Sequence, residues 1–374
     1  MKANPIFRRI YLFYFTYLAA GYFCSTLLVL WLSKNGFGFS DLIFYYLLTF
    51  LVAILGILYI PKKNLTSHKA IFWGVVFNLS YVLVLVKIFH PFQLYLSALV
   101  SGLNVVYFWT VYNIMYFKYS SEEKRGINSS MYYLITPIIG ITLQPIAGVV
   151  AQRFGFTAMF VIGLLLYLIP LFLVRYLPDF KLDYNVKKEI STLQFNWTLF
   201  FQGMTSRINY TLVAIYTLFF IRNPSSFGNF FGYLALITVF ASLINGYISD
   251  KFRNRKYFFY LFSIIAVISF LPLAFVTNPY YWSLFAGVSS LCFYLVSPFW
   301  FTYSLDTYKE IGVEKTMILR EIHLNLGYFF NLLIVFLVFY FTKSTKISLI
   351  VISALCCTMP LVSYLQGVYR DKIN

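Results

Sequence analysis

The chain has 374 residues, of which 60% are hydrophobic, 22% aromatic and only 11% charged, with a net charge of +17 and a mean hydropathy of +0.76. A water-soluble protein of this length needs more polar surface to cover its core, so lipid is expected to face much of the outside. The basic residues are scattered through short loops between apolar runs rather than gathered on one face, which excludes a nucleic-acid-binding surface as the reading of the charge.

Every spanning backbone must satisfy its own polar groups, which leaves helices or closed barrels. The apolar runs lack the alternation that a barrel strand requires, so the fold class is all-α. A span needs about 20 apolar residues. Six are read at 10–32, 42–60, 70–89, 92–117, 128–150 and 157–174, and six more at 197–221, 227–248, 257–276, 282–304, 322–342 and 347–366. Met1 to Arg9 precedes an apolar run without a small-residue cleavage site, so the first run is expected to be a retained span. Cys24, Cys292, Cys356 and Cys357 all fall inside spans and read as packing residues. No metal-ligand spacing is present, and neither a cofactor nor a metal is expected.

Twenty-two of the 29 basic residues fall on one side if the N-terminus is inside. The positive-inside rule therefore predicts a multi-pass protein of the cytoplasmic membrane with both termini cytoplasmic. The polar stretch Arg175 to Asn196, with Asp183, Lys187, Lys188 and Glu189, divides the spans six and six. The expected organisation is a bundle over 1–175, a cytoplasmic linker over 176–196 and a second bundle over 197–374. A weak internal repeat at an offset near 186 supports this division. It lays Ser97 on Ser283, Asn104 on Ser290, Phe108 on Tyr294 and Gly126 on Gly312; Gly140 meets Gly327 one residue further on. Two related bundles about an axis along the membrane normal are a known transporter design.

Polar residues inside spans are costly in lipid and therefore point inward. Span 1 carries Tyr14, Tyr17, Gly21 and Ser25. Span 4 carries Ser97, Ser101 and Asn104, and span 10 carries Ser283, Gly287, Ser290, Tyr294 and Ser297, each set on one helical face. Span 7 holds Gln202, Arg207, Asn209 and Tyr210 near its middle. A central Arg costs roughly 2.5–3.5 kcal/mol on insertion scales, so Arg207 should face protein or a wet cavity. It is a candidate for binding an anionic group; the competing readings are a structural cation on backbone carbonyls, or a span shifted so that it nears an interface. On an ideal helix it projects roughly 160° from Asn209, so the two cannot point straight into one pocket. The candidate substrate contacts are Arg207, Gln202, Asn209, Tyr210, Asn104, Ser290, Tyr294 and Tyr17. Glu321 and His323, beside Arg320, are placed at the cytoplasmic mouth of span 11 as a loop-end ion cluster, with no carboxylate central in any span.

The loop from Gly246 through Asp250, Lys251, Arg253, Arg255 and Lys256 resembles the G-x-x-x-D-[RK]-x-G-[RK]-[RK] signature of the major facilitator superfamily, with Arg253 where a glycine is usual. The equivalent first-half loop, Gly56 to Lys63, keeps the glycine and basic pair but has Ile60 in place of the acid. Gly140, Gln144, Pro145 and Gly148 in span 5, the Gly155–Phe156 start of span 6, and Glu122 to Gly126 are similar to the family pattern too. The resemblance implies a twelve-helix secondary transporter working by alternating access, with spans 1, 4, 7 and 10 lining a cavity. It also implies a cytoplasmic gate at Gly246, Asp250, Lys251, Arg253 and Arg255, which the missing first-half acid makes asymmetric. The expected partners are a small solute and the lipid bilayer, with the chain acting as a monomer. The outer loops are short and nearly without acids or histidines, and no nucleotide-binding glycine loop occurs, so an enzyme is not expected. The competing readings are a lipid-linked saccharide flippase of another superfamily and a non-transporting membrane sensor on the same fold.

Overall fold

The computed structural model describes residues 5–59, 65–88, 90–120, 125–182, 195–251 and 255–368. The stretches Ile60–Lys63 and Glu122–Lys124, the linker residues 183–194 and Arg253 lie outside them. We label the long helices α1 (Pro5–Lys34), α2 (Phe39–Tyr59), α3 (Ser67–Val86), α4 (Phe92–Lys118), α5 (125–154), α6 (156–173), α7 (197–217), α8 (Pro224–Lys251), α9 (Tyr257–Phe275), α10 (Pro279–Thr307), α11 (Val313–Thr342) and α12 (Thr345–Leu365).

Ten helical stretches among the described residues are long and apolar enough to cross a membrane. Two features reconcile this with twelve helices. One stretch, Arg125–Leu173, has 49 residues, about 73 Å if straight, against a hydrocarbon core of about 30 Å. It breaks at Gly155, whose φ of 86° and ψ of 163° reverse the chain into α5 and α6. A side chain at that φ would be strained, which is why glycine stands there. The other is α7, whose Gln202, Arg207 and Asn209 dilute its apolar character.

Helices α1–α6 form one bundle and α7–α12 the other, joined along two different seams. Where α5 meets α8, small residues bring backbones together: a Cβ at Gly148 would lie 2.7 Å from the Pro224 carbonyl oxygen, and one at Gly228 would lie 2.5 Å from that of Gln144. Small residues are the usual means of close approach where lipid removes the hydrophobic drive. Where α2 meets α11, an antiparallel ladder of rings does the joining. Phe39 lies 4.6 Å from Phe339, Phe44 6.3 Å from Phe336, and Phe50 5.0 Å from Tyr328. Such ring pairs contribute about 0.5–1.5 kcal/mol each beyond their area.

At the face that bears the termini, the segment after α6 is stitched to the start of α3. Thr66 and Lys181 form an antiparallel bridge, and the Ser67 N–H donates to the Phe180 carbonyl at 2.9 Å. Asp179 caps α3 by accepting from the His68 N–H at 3.1 Å and the Ser67 hydroxyl at 3.2 Å.

Candidate functional site

A cavity of about 480 Å³ lies between the bundles, walled by α1, α2 and α4 from one side and by α7, α10 and α11 from the other. A smaller chamber of about 290 Å³ adjoins it, reaching α5 and α8. The two share Arg207, Tyr210, Tyr294, Tyr22, Ser25 and Tyr46. Tyr210 donates its hydroxyl to that of Tyr294 at 3.1 Å where they meet.

Arg207 ends the first α-helical part of α7, and a π-turn over Ile208–Leu212 follows it before the α-helix resumes at Val213. Such a turn inserts a residue into the helical ladder and recurs at functional sites. Arg207 and Asn209 both line the smaller chamber, and Arg207 lines the larger cavity as well. The divergence expected of an ideal α-helix therefore does not keep them out of one shared chamber, because the π-turn replaces that geometry here. The Arg207 guanidinium lies 4.0 Å from the Tyr328 ring centre and 4.8 Å from that of Phe50, one ring from each bundle. Its Nη1 donates to Thr211 Oγ1 at 3.2 Å, and its Nε is buried without a hydrogen-bond partner. No described carboxylate lies within ion-pairing reach of it.

The other predicted contacts fall into pairs. Tyr17 and Asn104, on α1 and α4, share a hydrogen bond of 3.0 Å, and Asn104 also donates to the Gly74 carbonyl at 2.8 Å. In the second bundle the Ser290 hydroxyl donates to Asn209 Oδ1 at 3.0 Å, joining α10 to α7. Asn104 and Ser290 occupy matching positions in the 186-residue repeat, and each ties the fourth helix of its bundle to the first. Tyr17, Asn104, Gln202, Tyr210 and Tyr294 line the central cavity; Ser290 lines only the smaller chamber. The span-10 stripe divides further. Ser283 and Ser297 bond back to carbonyls of their own helix, and Gly287 packs against Tyr233 and Ile237.

Arg320 and Glu321 require a correction. They do not form a loop-end cluster: α11 begins at Val313, and both residues are buried in the cavity wall. Arg320 Nη1 donates to Glu321 Oε1 at 2.8 Å, and its guanidinium lies 3.9 Å from the Phe301 ring centre. Asn113 of α4 donates to the same carboxylate oxygen at 3.0 Å and accepts from the Tyr132 hydroxyl at 2.7 Å. α7 thus does not carry the only charge within the bundle. His323 lies to one side of this group, its Nε2 accepting from the Asn196 N–H at 3.1 Å and its Nδ1 donating to the Leu319 carbonyl at 2.8 Å. Sequence reasoning missed Asn113, Asn325 and Tyr328. The spacing of Glu321, Asn325 and Tyr328, four then three, marks one helical face and was a readable signal.

Of the proposed gate, Gly246, Asp250 and Lys251 lie on the last turns of α8, and Arg255 starts the next helix. Their side chains, and Arg253 altogether, lie outside what the structure describes. Elsewhere at the terminal face, Lys118 of α4 pairs with Glu314 of α11 at 2.6 Å, and Phe117 stacks on Phe301 at 4.5 Å. At the opposite face Phe39 lies 5.5 Å from Tyr216. No cluster of histidine, cysteine or acidic residues suited to a metal ion occurs among the described residues.

The chain superposes on solved transporters along nearly its full length. These include a variant of the E. coli fucose:proton symporter FucP, with a TM-score of 0.65 and 12% identity over 96% of this chain and 98% of that one. A POT family transporter bound to 5-aminolevulinic acid gives a TM-score of 0.69 at 12% identity, over 97% and 96%. The peptide transporter POT in complex with sulfate gives 0.70 at 12%, over 96% and 94%. No curated protein sequence matches. The sequence model of the Major Facilitator Superfamily matches residues 66–330. That match takes in helices of both bundles, and with the twelve-helix fold around one central cavity it places the chain in the major facilitator superfamily, as a secondary transporter.

Proposed function

We propose that this transporter moves a small organic anion across the cytoplasmic membrane by alternating access around the Arg207 cavity, with both termini in the cytoplasm. The observation that carries the reading is the charge balance of the cavity. Two arginines and one described carboxylate line it; Arg320 holds that carboxylate and Arg207 holds none. Arginine stays protonated at any physiological pH. A half-desolvated guanidinium that holds no carboxylate among the described residues is a ready donor to a carboxylate or phosphate.

Contacts between the bundles at both faces support alternating access. At the terminal face they rest on Lys118–Glu314, Asn113–Glu321 and Phe117–Phe301, and at the opposite face on Phe39 with Tyr216 and Phe339. Rocking of one bundle against the other breaks one set while keeping the other. The gate at Asp250 and its basic neighbours is part of the same proposal.

The test is uptake of labelled anions into vesicles reconstituted with purified protein. Uptake of at least one anion, lost in Arg207→Gln with the melting temperature retained, is the expected result. Wild-type uptake in that variant would remove Arg207 from the site.

A further inference from the structure

The guanidinium of Arg207 rests in a corner built from both bundles. Its central carbon lies 4.0 Å from the centre of the Tyr328 ring and 4.8 Å from that of Phe50, and the two rings are 5.0 Å apart at 61° to each other. Tyr328 belongs to α11 and Phe50 to α2. Of the three ring pairs that join those helices, this is the one that lines the central cavity; Phe44 with Phe336 and Phe39 with Phe339 lie beyond it, toward the opposite face.

The two sides of the corner differ in how they are held. α7 and α11 cross with their backbones in contact: a Cβ on Gly203 would strike the Leu324 carbonyl oxygen, and one on Gly327 that of Phe200. Asn331 Nδ2 also donates to the Met204 carbonyl at 2.8 Å. Arg207 stands about one turn beyond Gly203, and Tyr328 follows Gly327, so Tyr328 moves with Arg207 as one body. Thr211, which accepts from Arg207 Nη1, sits on α7 as well. Phe50, buried at 5% exposure, is the wall that the other bundle supplies. When the bundles rock apart along α2 and α11, it is the wall that leaves.

A guanidinium against a ring gains cation–π attraction and loses freedom to reorient, and the attraction is largest where water is excluded. Withdrawing Phe50 admits water and lets the long side chain swing, which weakens its charge-assisted bonds to a bound carboxylate. Building on the anion reading of Arg207, we infer that Phe50 is a positioning residue for the anion site. It braces the Arg207 guanidinium only while α2 and α11 are closed on each other, so the site binds its anion more tightly in that state than with the opposite face open. By linkage, bound anion favours the closed seam by the same factor.

Calorimetric titration of the purified full chain with lactate, succinate, gluconate and benzoate tests this. Binding of none of the four would overturn the anion reading, and the role of Phe50 with it. For the probe bound tightest, Phe50→Leu is expected to weaken binding about tenfold, equal to about 1.4 kcal/mol, and Phe50→Trp to stay within about twofold of wild type. Trifluorophenylalanine at position 50 keeps the shape of the ring but removes its negative face, and should weaken binding as leucine does. Wild-type affinity in the fluorinated protein would make Phe50 a space-filling residue and overturn the inference while the anion reading stands.

Two cysteine pairs, each closed by a short bis-thiosulfonate bridge, separate bracing from closure. Phe39→Cys with Phe339→Cys holds the seam, and Lys118→Cys with Glu314→Cys holds the terminal face. The seam-bridged protein should keep wild-type affinity and bind several-fold tighter than the protein bridged at the terminal face. Phe50→Leu should stay about tenfold weak under the seam bridge. Its recovery there would mean that the ring only holds the helices together, which ends its positioning role. Equal affinity in the two bridged proteins would overturn the dependence on state.

Discussion

Arg207 and Arg320 line one cavity under opposite conditions. Arg320 is 4% exposed, bonded to Glu321 at 2.8 Å and laid over Phe301. Arg207 is half-buried between Tyr328 and Phe50, donates to Thr211, and has no carboxylate in ion-pairing reach among the described residues. An arginine within a membrane bundle is therefore not in itself a ligand signal; its neighbours decide. Where a carboxylate sits one residue away, the charge is cancelled in place, and the pair becomes a latch through Asn113 of the other bundle. Where aromatic faces and a hydroxyl meet it, cation–π contact supplies about 0.5–2 kcal/mol, and on the proposed function the rest of the guanidinium is kept for a solute.

The largest effect expected from breaking this contrast is at Glu321. Glu321→Leu strands Arg320 as a buried cation without its partner, which costs about 3–5 kcal/mol. The double change Arg320→Met with Glu321→Leu should recover most of that loss, because two well-packed apolar side chains replace the pair. Thermal unfolding in detergent of the single and double variants reads both effects, and equal stability of the single variant and wild type would show that Glu321 does not balance Arg320. Next in size, Arg207→Gln should weaken binding of a transported anion about 100-fold, equivalent to about 2.7 kcal/mol, with little change in unfolding temperature. A large drop in stability instead would make Arg207 a second structural arginine and remove the contrast.

How much of this was legible in the sequence differs between the same two regions. Arg207 stood out because an apolar run surrounds it, whereas its sharing a chamber with Asn209 was not legible, because 100° per residue does not hold across the π-turn at Ile208–Leu212. Arg320 and Glu321 were hidden for the opposite reason. Glu314, Lys315, Arg320 and Glu321 crowd the start of α11, and a hydropathy window ends the span after them. The helix continues back to Val313 because these charges face the other bundle rather than lipid: Glu314 toward Lys118, Glu321 toward Asn113. Hydropathy reports contact with lipid, and it clips helices whose ends project into protein. The Asn209–Ser290 bond was out of reach for a further reason. It depends on how α7 packs on α10, which no single-helix period encodes.

Lys118 and Glu314 form the exposed counterpart of the Arg320–Glu321 latch, with side chains 38% and 21% exposed. Screening by water and salt limits such a pair to about 0–1 kcal/mol. Lys118→Met should therefore lower the unfolding temperature slightly at low ionic strength and not at all in about 1 M salt. A loss as large as that of Glu321→Leu would erase the distinction between the buried and exposed pairs.

The smallest effect belongs to Asp179, a carboxylate held mainly by hydrogen bonds, with a further electrostatic contribution from His68. Its shallow burial pushes the carboxyl up, but hydrogen bonds from the His68 N–H and from Thr66 and Ser67 outweigh this and hold it below the usual carboxylate range. A carboxyl depressed in the folded state stabilises the fold above its unfolded value of about 3.9, and that contribution disappears as pH falls through the folded value. Asp179→Asn should thus unfold at a slightly lower temperature than wild type at pH 7, with the gap closing on acidification below about pH 4. A gap that persists in acid would mean that Asp179 holds the start of α3 by shape and not by charge. In that case the negative charge near the helix N-terminus contributes nothing measurable there, and the carboxylates of this comparison that stabilise through charge are those of the ion pairs at Glu321 and Glu314.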